Sequence, residues 1–109
     1  MKRGEIWTIA GGSDYAGKPR PAIIIQSDKF DATSSITICP LTATMVDAAP
    51  ARLAIVPSRK NGLQIRSQVM VDKIATIPKS KARRRIGELD STEILLLNRH
   101  IAVFLGLAD

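Results

Sequence analysis

Few residues in this chain are of types that carry acid–base or covalent chemistry. His100 is the one histidine and sits inside a segment with helical apolar spacing, so paired histidine acid–base catalysis is impossible within one chain. Cys39 is the one cysteine, and its neighbours Ile36-Thr37-Ile38 make it read as a small buried hydrophobe in a reducing compartment. A disulfide framework or a Cys-based zinc site needs more thiols. Asp14, Asp28, Asp31, Asp47 and Asp72 are scattered without metal-ligand spacing, and Gly11-Gly12 alone is too little for a phosphate loop. No metal and no cofactor are expected.

What remains is arginine, lysine and hydroxyl chemistry. Lys18-Pro19-Arg20-Pro21 is the most unusual local feature. Each proline restricts the residue before it to extended geometry, so the backbone of Arg20 is held at the junction of a loop and an apolar run. A guanidinium fixed in this way suits a phosphate, which it can hold through two parallel N–H bonds. An exposed arginine beside a strand start is the plainer reading, and pattern alone favours it. Leu41-Thr42-Ala43-Thr44 follows Pro40, where a strand changes character, and a hydroxyl there can donate to an anion. Threonine is common at strand ends for ordinary reasons, so this signal is weak by itself. Lys79, Lys81, Arg83, Arg84 and Arg85 form a basic run that could meet the phosphates of a nucleic acid or an acidic partner. A solvated charge run is the commoner case.

The elements that must position these groups are short. Glu5–Ile9 alternates as a half-buried strand, and 10–19 is a loop rich in turn residues. Arg20–Gln26 is a β-branched run that predicts a buried strand, and Ser27 can cap a helical turn over 28–31. Strands are expected at 35–42, with Pro40 marking an edge or a bulge, at 52–57 and at 68–74. An Asn61-Gly62 turn separates the last two, and 79–85 reads as a basic connector. The final segment predicts a helix. Asp90 is its N-cap with Glu93 three residues on, Ile94, Leu97, Ile101, Phe104 and Leu105 share a face, and Gly106 is a stop. Several short strands and one amphipathic helix imply a mostly β fold, a small antiparallel barrel with the helix packed on it.

The composition agrees with one such domain over residues 1–109. The chain is 45% hydrophobic, enough for a core, but only 4% aromatic, so that core must be aliphatic. No apolar run reaches the length of a membrane span, and Met1–Glu5 leads straight into a strand pattern, so a cytoplasmic protein is expected. The net charge of +6 points to a polyanionic partner without choosing between nucleic acid and acidic protein. That charge is uneven. Residues 1–58 carry +1, residues 59–85 carry +8 and residues 86–109 carry −3. The surplus can serve Arg20 only if folding brings the segments together.

In order along the chain, Lys2-Arg3-Gly4-Glu5-Ile6-Trp7, Arg20-Pro21-Ala22-Ile23-Ile24-Ile25-Gln26, Ile38-Cys39-Pro40-Leu41-Thr42, 67–77 and Ile86-Gly87-Glu88-Leu89-Asp90 with the final helix resemble the MazF/PemK family of bacterial toxins. The match covers nearly the whole chain, and its specificity lies in order and spacing rather than in one motif. The resemblance implies an SH3-like β-barrel with a C-terminal helix, a homodimer, and a metal-independent endoribonuclease that cuts single-stranded RNA at a short sequence. It also implies a cognate antitoxin that blocks the RNA groove. Arg20 and Thr42 match the family's catalytic pair. RNA supplies its own nucleophile, the 2′-hydroxyl, so the protein has to orient the attack and stabilise charge. A guanidinium stays protonated in proteins, so an arginine in this role stabilises charge first and moves a proton only second.

Tyr15, Lys18, Asp72, Lys73 and Arg83 are candidates for RNA binding or for shaping the site. Tyr15 could stack on an unpaired base or be an ordinary loop aromatic. Asp72 matches an acidic position of the family or is a strand-end carboxylate paired with a nearby cation. Ala75 departs from relatives that often carry arginine there. Two other functions stay in view. A CcdB-like gyrase poison on the same barrel would need a C-terminal Trp-Gly-Ile-like ending, whereas this chain ends Phe104-Leu105-Gly106-Leu107-Ala108-Asp109. A non-catalytic RNA-binding barrel is compatible with composition, and only the resemblance ranks the nuclease above it. For the homodimer, Ile36, Ile38, Val69 and Val71, or the helix residues Leu95 and Leu96, are candidate interface residues.

Overall fold

A computed structural model describes residues 1–11, 18–47 and 51–109. Its described residues form seven strands and one α-helix: β1 (Glu5–Ile9), β2 (Arg20–Ile24), β3 (Ser35–Thr42), β4 (Arg52–Ile55), β5 (Ser67–Met70), β6 (Ala75–Pro78), β7 (Ala82–Glu88) and α1 (Ser91–Phe104). All pairings are antiparallel. The path runs β4-β5-β3-β2-β1-β7, with β6 also on β3. The ends of the path are not joined by a pairing among the described residues, so the barrel is a coiled, open one.

β3 is the hinge of the architecture. One edge pairs with β2, and the other pairs first with β6 and then with β5. Pro40 lies between the two: Ile38 faces Ala75 and Leu41 faces Val69, and the 3-10 turn Val71–Lys73 spans the interval. A proline is tolerated there because no partner strand asks for its missing N–H. The proline thus sits in an inner strand, at a local break in pairing rather than at a sheet edge.

Alternation along β1, β2 and β3 sorts their side chains onto two faces. Ile6, Ile23, Cys39 and Leu41 enter the main core with Leu53, Ile55, Val69, Val71, Leu89 and Leu97. Burial pushes the Cys39 thiol up to about 12, so it behaves as the small hydrophobe expected. Ala22, Ile24, Ile36 and Ile38 form a second cluster on the opposite face, with Trp7, Ile9 and Ile77 packed against it.

The helix is capped as its sequence demands. The Glu93 N–H donates to Asp90 Oδ1 at 2.7 Å, and the Asp90 N–H donates to Glu93 Oε1 at 2.9 Å. Gly106, at φ +77°, ends it, with Leu107 N–H reaching Ala102 O at 2.8 Å. Only part of the expected apolar face is covered. Leu97 is buried and Ile94 and Ile101 pack on the core, while Phe104 and Leu105 are exposed.

Two expectations for the second half are corrected. The run 68–74 is not one strand: β5 stops at Met70, the 3-10 turn intervenes, and β6 begins at Ala75. The supposed basic connector is a short turn, Lys79–Lys81, followed by β7, which pairs along β1. The run of arginines masks the alternation of a strand that faces solvent on one side. β7 also packs against the Asn61-Gly62 turn. A Cβ on Gly87 would come within 2.3 Å of the Asn61 backbone, so glycine is required for that approach. The buried Asn61 amide holds the turn by accepting the Ser58 and Leu63 N–H groups and donating to Val56 O.

Candidate functional site

Arg20 opens β2 and Thr42 closes β3. The β2–β3 register pairs Ala22 with Pro40, Ile23 with Cys39 and Ile24 with Ile38. Continued by two residues, this register sets Arg20 opposite Thr42 on the same face of the sheet. Pro21 keeps the Arg20 backbone extended, and Ile9 of β1 pairs with it on the other side.

Arg20 and Thr42 line one cleft of about 220 Å³. Its remaining lining is mostly apolar, including Ile9, Pro21, Ile38, Pro40 and Ile77, so Arg20 is the one charged residue among its described walls. A cation beside such a floor acts on an anion with less screening than in open water. Thr42 Oγ1 accepts the Thr44 N–H at 3.1 Å, which fixes the hydroxyl oxygen. A hydroxyl also carries one donor, and no described residue accepts the Thr42 proton. One charged fork and one hydroxyl donor, held on paired strands, can bind a tetrahedral anion and favour added negative charge on it.

A second cleft, of about 540 Å³, lies on the other side of Arg20 and Pro21, which with Leu41 line both. Lys18, Arg20 and Arg84 supply its cations. Thr8, Gln64 and Ser67 add polar groups, and Leu63 and Ile65 add an apolar wall. Folding therefore does bring part of the basic second half to Arg20, through Arg84 on β7.

The other sequence candidates fall elsewhere. Asp72 accepts from Arg52 Nε at 2.8 Å and Nη2 at 3.3 Å. The hydrogen bond from Arg52 holds its carboxyl below the usual range. It is a carboxylate of the 3-10 turn rather than of a strand end, held in an ion pair, and it lines neither cleft. Lys73 is exposed beside it and also lines neither. Arg83 donates to Ser80 O at 2.7 Å, again away from both clefts. Tyr15 lies outside the described residues. Ala75 lines the first cleft, so the position at which relatives often carry arginine adds no charge to it here. Of the dimer candidates, Ile36, Ile38, Val69 and Val71 are each at most 4% exposed and belong to the cores, so they offer no surface; Leu95 and Leu96 are exposed.

Two contributors escaped the sequence reading, Ile9 and Ile77 as cleft floor, and Arg84 was read only as one of a basic run and not as a cleft cation. The alternation of Ala82-Arg83-Arg84-Arg85-Ile86, in which Arg84 shares a face with the core residue Ile86, was the available signal. Its neighbour Arg85 is committed to Glu5 at 2.9 Å and to Glu88 at 3.1 Å. Burial pushes the Glu5 carboxyl up, but hydrogen bonds from the Lys2 N–H, Trp7 and Arg85 outweigh it and bring the group below its ordinary value.

Comparisons with known proteins bear on this site. Residues 2–105 match the family model described as PemK-like, MazF-like toxin of type II toxin–antitoxin system. The chain is 44% identical over 108 residues to the probable endoribonuclease MazF of Mycolicibacterium smegmatis, covering 99% of each. The Mycobacterium tuberculosis toxin MazF-mt6 superposes with a TM-score of 0.78 at 26% identity, over 94% of this chain and 98% of that one. A mycobacterial endoribonuclease solved with its cognate antitoxin gives 0.83 at 24% identity, over 100% and 98%, which speaks to the fold.

Proposed function

The chain belongs to the PemK-like, MazF-like toxin family of type II toxin–antitoxin systems, and from that premise we propose that it is an endoribonuclease whose cleft at the β2–β3 seam cuts single-stranded RNA without a metal. The observation that carries this reading is that Arg20, at the start of β2, and Thr42, at the end of β3, line one cleft.

RNA held there attacks itself. The ribose 2′-hydroxyl gives up its proton to solvent as its oxygen forms a bond to the adjacent phosphorus, the bond from phosphorus to the 5′-oxygen breaks, and the leaving oxygen takes up a proton from solvent. The products are a 2′,3′-cyclic phosphate and a 5′-hydroxyl. Arg20 holds the nonbridging oxygens and stabilises the phosphorane-like transition state, where the charge is greatest. Thr42 donates its hydroxyl proton to a nonbridging oxygen. Strands rather than loops carry both groups, so neither has to be ordered during the reaction. An acidic antitoxin segment laid across Lys18, Arg20 and Arg84 would block the same surface. The exposed Leu95 and Leu96 on α1 are the candidates for a homodimer contact. No described helix is long and apolar enough to cross a membrane.

The test is cleavage of a long RNA in excess EDTA, mapped by primer extension. Wild type should cut at a small set of related sequences. Arg20→Ala should lower the rate by about 10²-fold or more, the scale of losing one principal charge stabiliser. Cleavage that EDTA abolishes, or that survives Arg20→Ala unchanged, contradicts the reading.

A further inference from the structure

Arg84 differs from the other cations of its strand. Arg85 is tied to Glu5 and Glu88, and Arg83 to the Ser80 carbonyl. The Arg84 guanidinium has no hydrogen-bond or ion-pair partner among the described residues, and it lines the second cleft together with Lys18 and Arg20. No carboxylate is among that cleft's described walls. An unpaired guanidinium in a concave, cation-lined space favours an anion that fills it.

We propose that the second cleft is a further phosphate subsite, in which Arg84, with Lys18, holds the phosphodiester of a nucleotide neighbouring the one engaged at Arg20. The inference rests on the nuclease reading and extends it to a part of the RNA that is not cut. Its geometry follows from the shared wall: a strand held at Arg20 passes from one cleft into the other across Pro21 and Leu41. The cleft also presents Leu63 and Ile65, and Ile65 is 58% exposed. A single strand has charge along its backbone and apolar faces on its bases, so a groove lined by both cations and aliphatic carbons suits it. Arg84 is in this account a positioning residue: it anchors the strand and does not touch the reacting atoms.

The experiment measures cleavage by wild type, Arg84→Gln and Arg84→Lys on an oligoribonucleotide spanning a mapped site, and on versions shortened stepwise from each end. On the long RNA, Arg84→Gln should raise KM several-fold with kcat within about twofold. The salt dependence of log kcat/KM should become shallower by about 0.7, the contribution of one phosphate contact on a single strand. The gap between wild type and Arg84→Gln should vanish once shortening removes the neighbouring nucleotide. Arg84→Lys should keep KM close to wild type. The β1–β7 pairing should persist in both variants, because the Thr8 hydroxyl is bonded to the Arg84 backbone N–H at 3.1 Å and not to its side chain; a thermal melt checks this. An unchanged KM and salt slope, or a loss equal on all lengths, overturns the subsite while leaving the nuclease reading standing. A wild type that cuts no RNA sinks the nuclease reading and the subsite with it.

Discussion

The two clefts meet at Arg20, and under the proposed function they divide the work of an RNA-cutting site between them. On one side the walls are aliphatic, and the polar equipment is a guanidinium and a hydroxyl from opposite ends of paired strands. On the other side the cleft is larger, carries two further cations, and draws residues from β1, β7 and the 62–67 segment. Chemistry needs few groups held rigidly in a poorly screened place, while affinity for a polyanion needs many charges and tolerates loose geometry. The contrast teaches that the +6 of this chain is a poor guide to its catalytic centre. Most of the surplus lies on elements that hold or fold, and the proposed reacting pair comes from the nearly neutral first half.

Substitutions on the two sides should therefore fail differently. The largest effect after Arg20 is expected at Thr42. Thr42→Val keeps the shape of the side chain and removes the donor, so kcat should fall by about 10–100-fold with little change in KM, while Thr42→Ser retains most activity. Steady-state kinetics on one short RNA checks both. A loss in KM alone would move Thr42 from the chemical side of the comparison to the holding side, where Arg84 is proposed to act.

The smallest effect on activity is expected at Asp72, which lines neither cleft. Asp72→Asn should cost about 1 kcal/mol of stability at pH 7 and leave the cleavage rate within twofold, as fits removal of one partly exposed, two-point ion pair. The pH dependence gives the sign. The carboxyl of folded Asp72 titrates below its ordinary value, so its stabilisation is complete above the unfolded-state value near 3.8 and is lost as the pH falls through the lowered folded value. The gap between wild type and Asp72→Asn in urea midpoints should therefore shrink on going from pH 7 towards pH 2–3. A gap that instead grows in acid, or a large loss of activity at pH 7, would make Asp72 part of the site.

Much of this division was legible in the sequence, for physical reasons that differ along the chain. Local signals were sufficient where they are strong: the Asp90–Glu93 capping box and Gly106 bound α1, the alternation of Glu5–Ile9 marked β1, and the β-branched run from Arg20 marked β2. Pro19 and Pro21 marked Arg20, but only the antiparallel register set Thr42 opposite it, and register is a long-range property that spacing along the chain does not encode. β7 was missed because three consecutive arginines look like a solvated tract; strand pairing with β1 overrode that appearance. The interval 71–73 was read through as strand because Asp72 alone, between Val71 and Lys73-Ile74, is a weak turn signal inside an apolar run. What breaks the strand there is the geometry of β3, which changes partners at Pro40. The dimer candidates Ile36, Ile38, Val69 and Val71 illustrate the same limit: an apolar strand residue can face a core or a partner, and the packing of both faces of β3 decides for the core.

The central claim is that the RNA attacks itself at the seam between β2 and β3, with Arg20 and Thr42 stabilising the charge that develops. The most direct measurement replaces one ribose. An oligoribonucleotide carrying a mapped site is compared with the same oligonucleotide bearing a single 2′-deoxyribose immediately 5′ of the scissile phosphate, in EDTA, with the product ends identified by mass spectrometry. The account predicts a 2′,3′-cyclic phosphate and a 5′-hydroxyl from the first and no cleavage at that bond in the second. Cleavage of the substituted oligonucleotide at the same bond, or products ending in a 5′-phosphate, would contradict it.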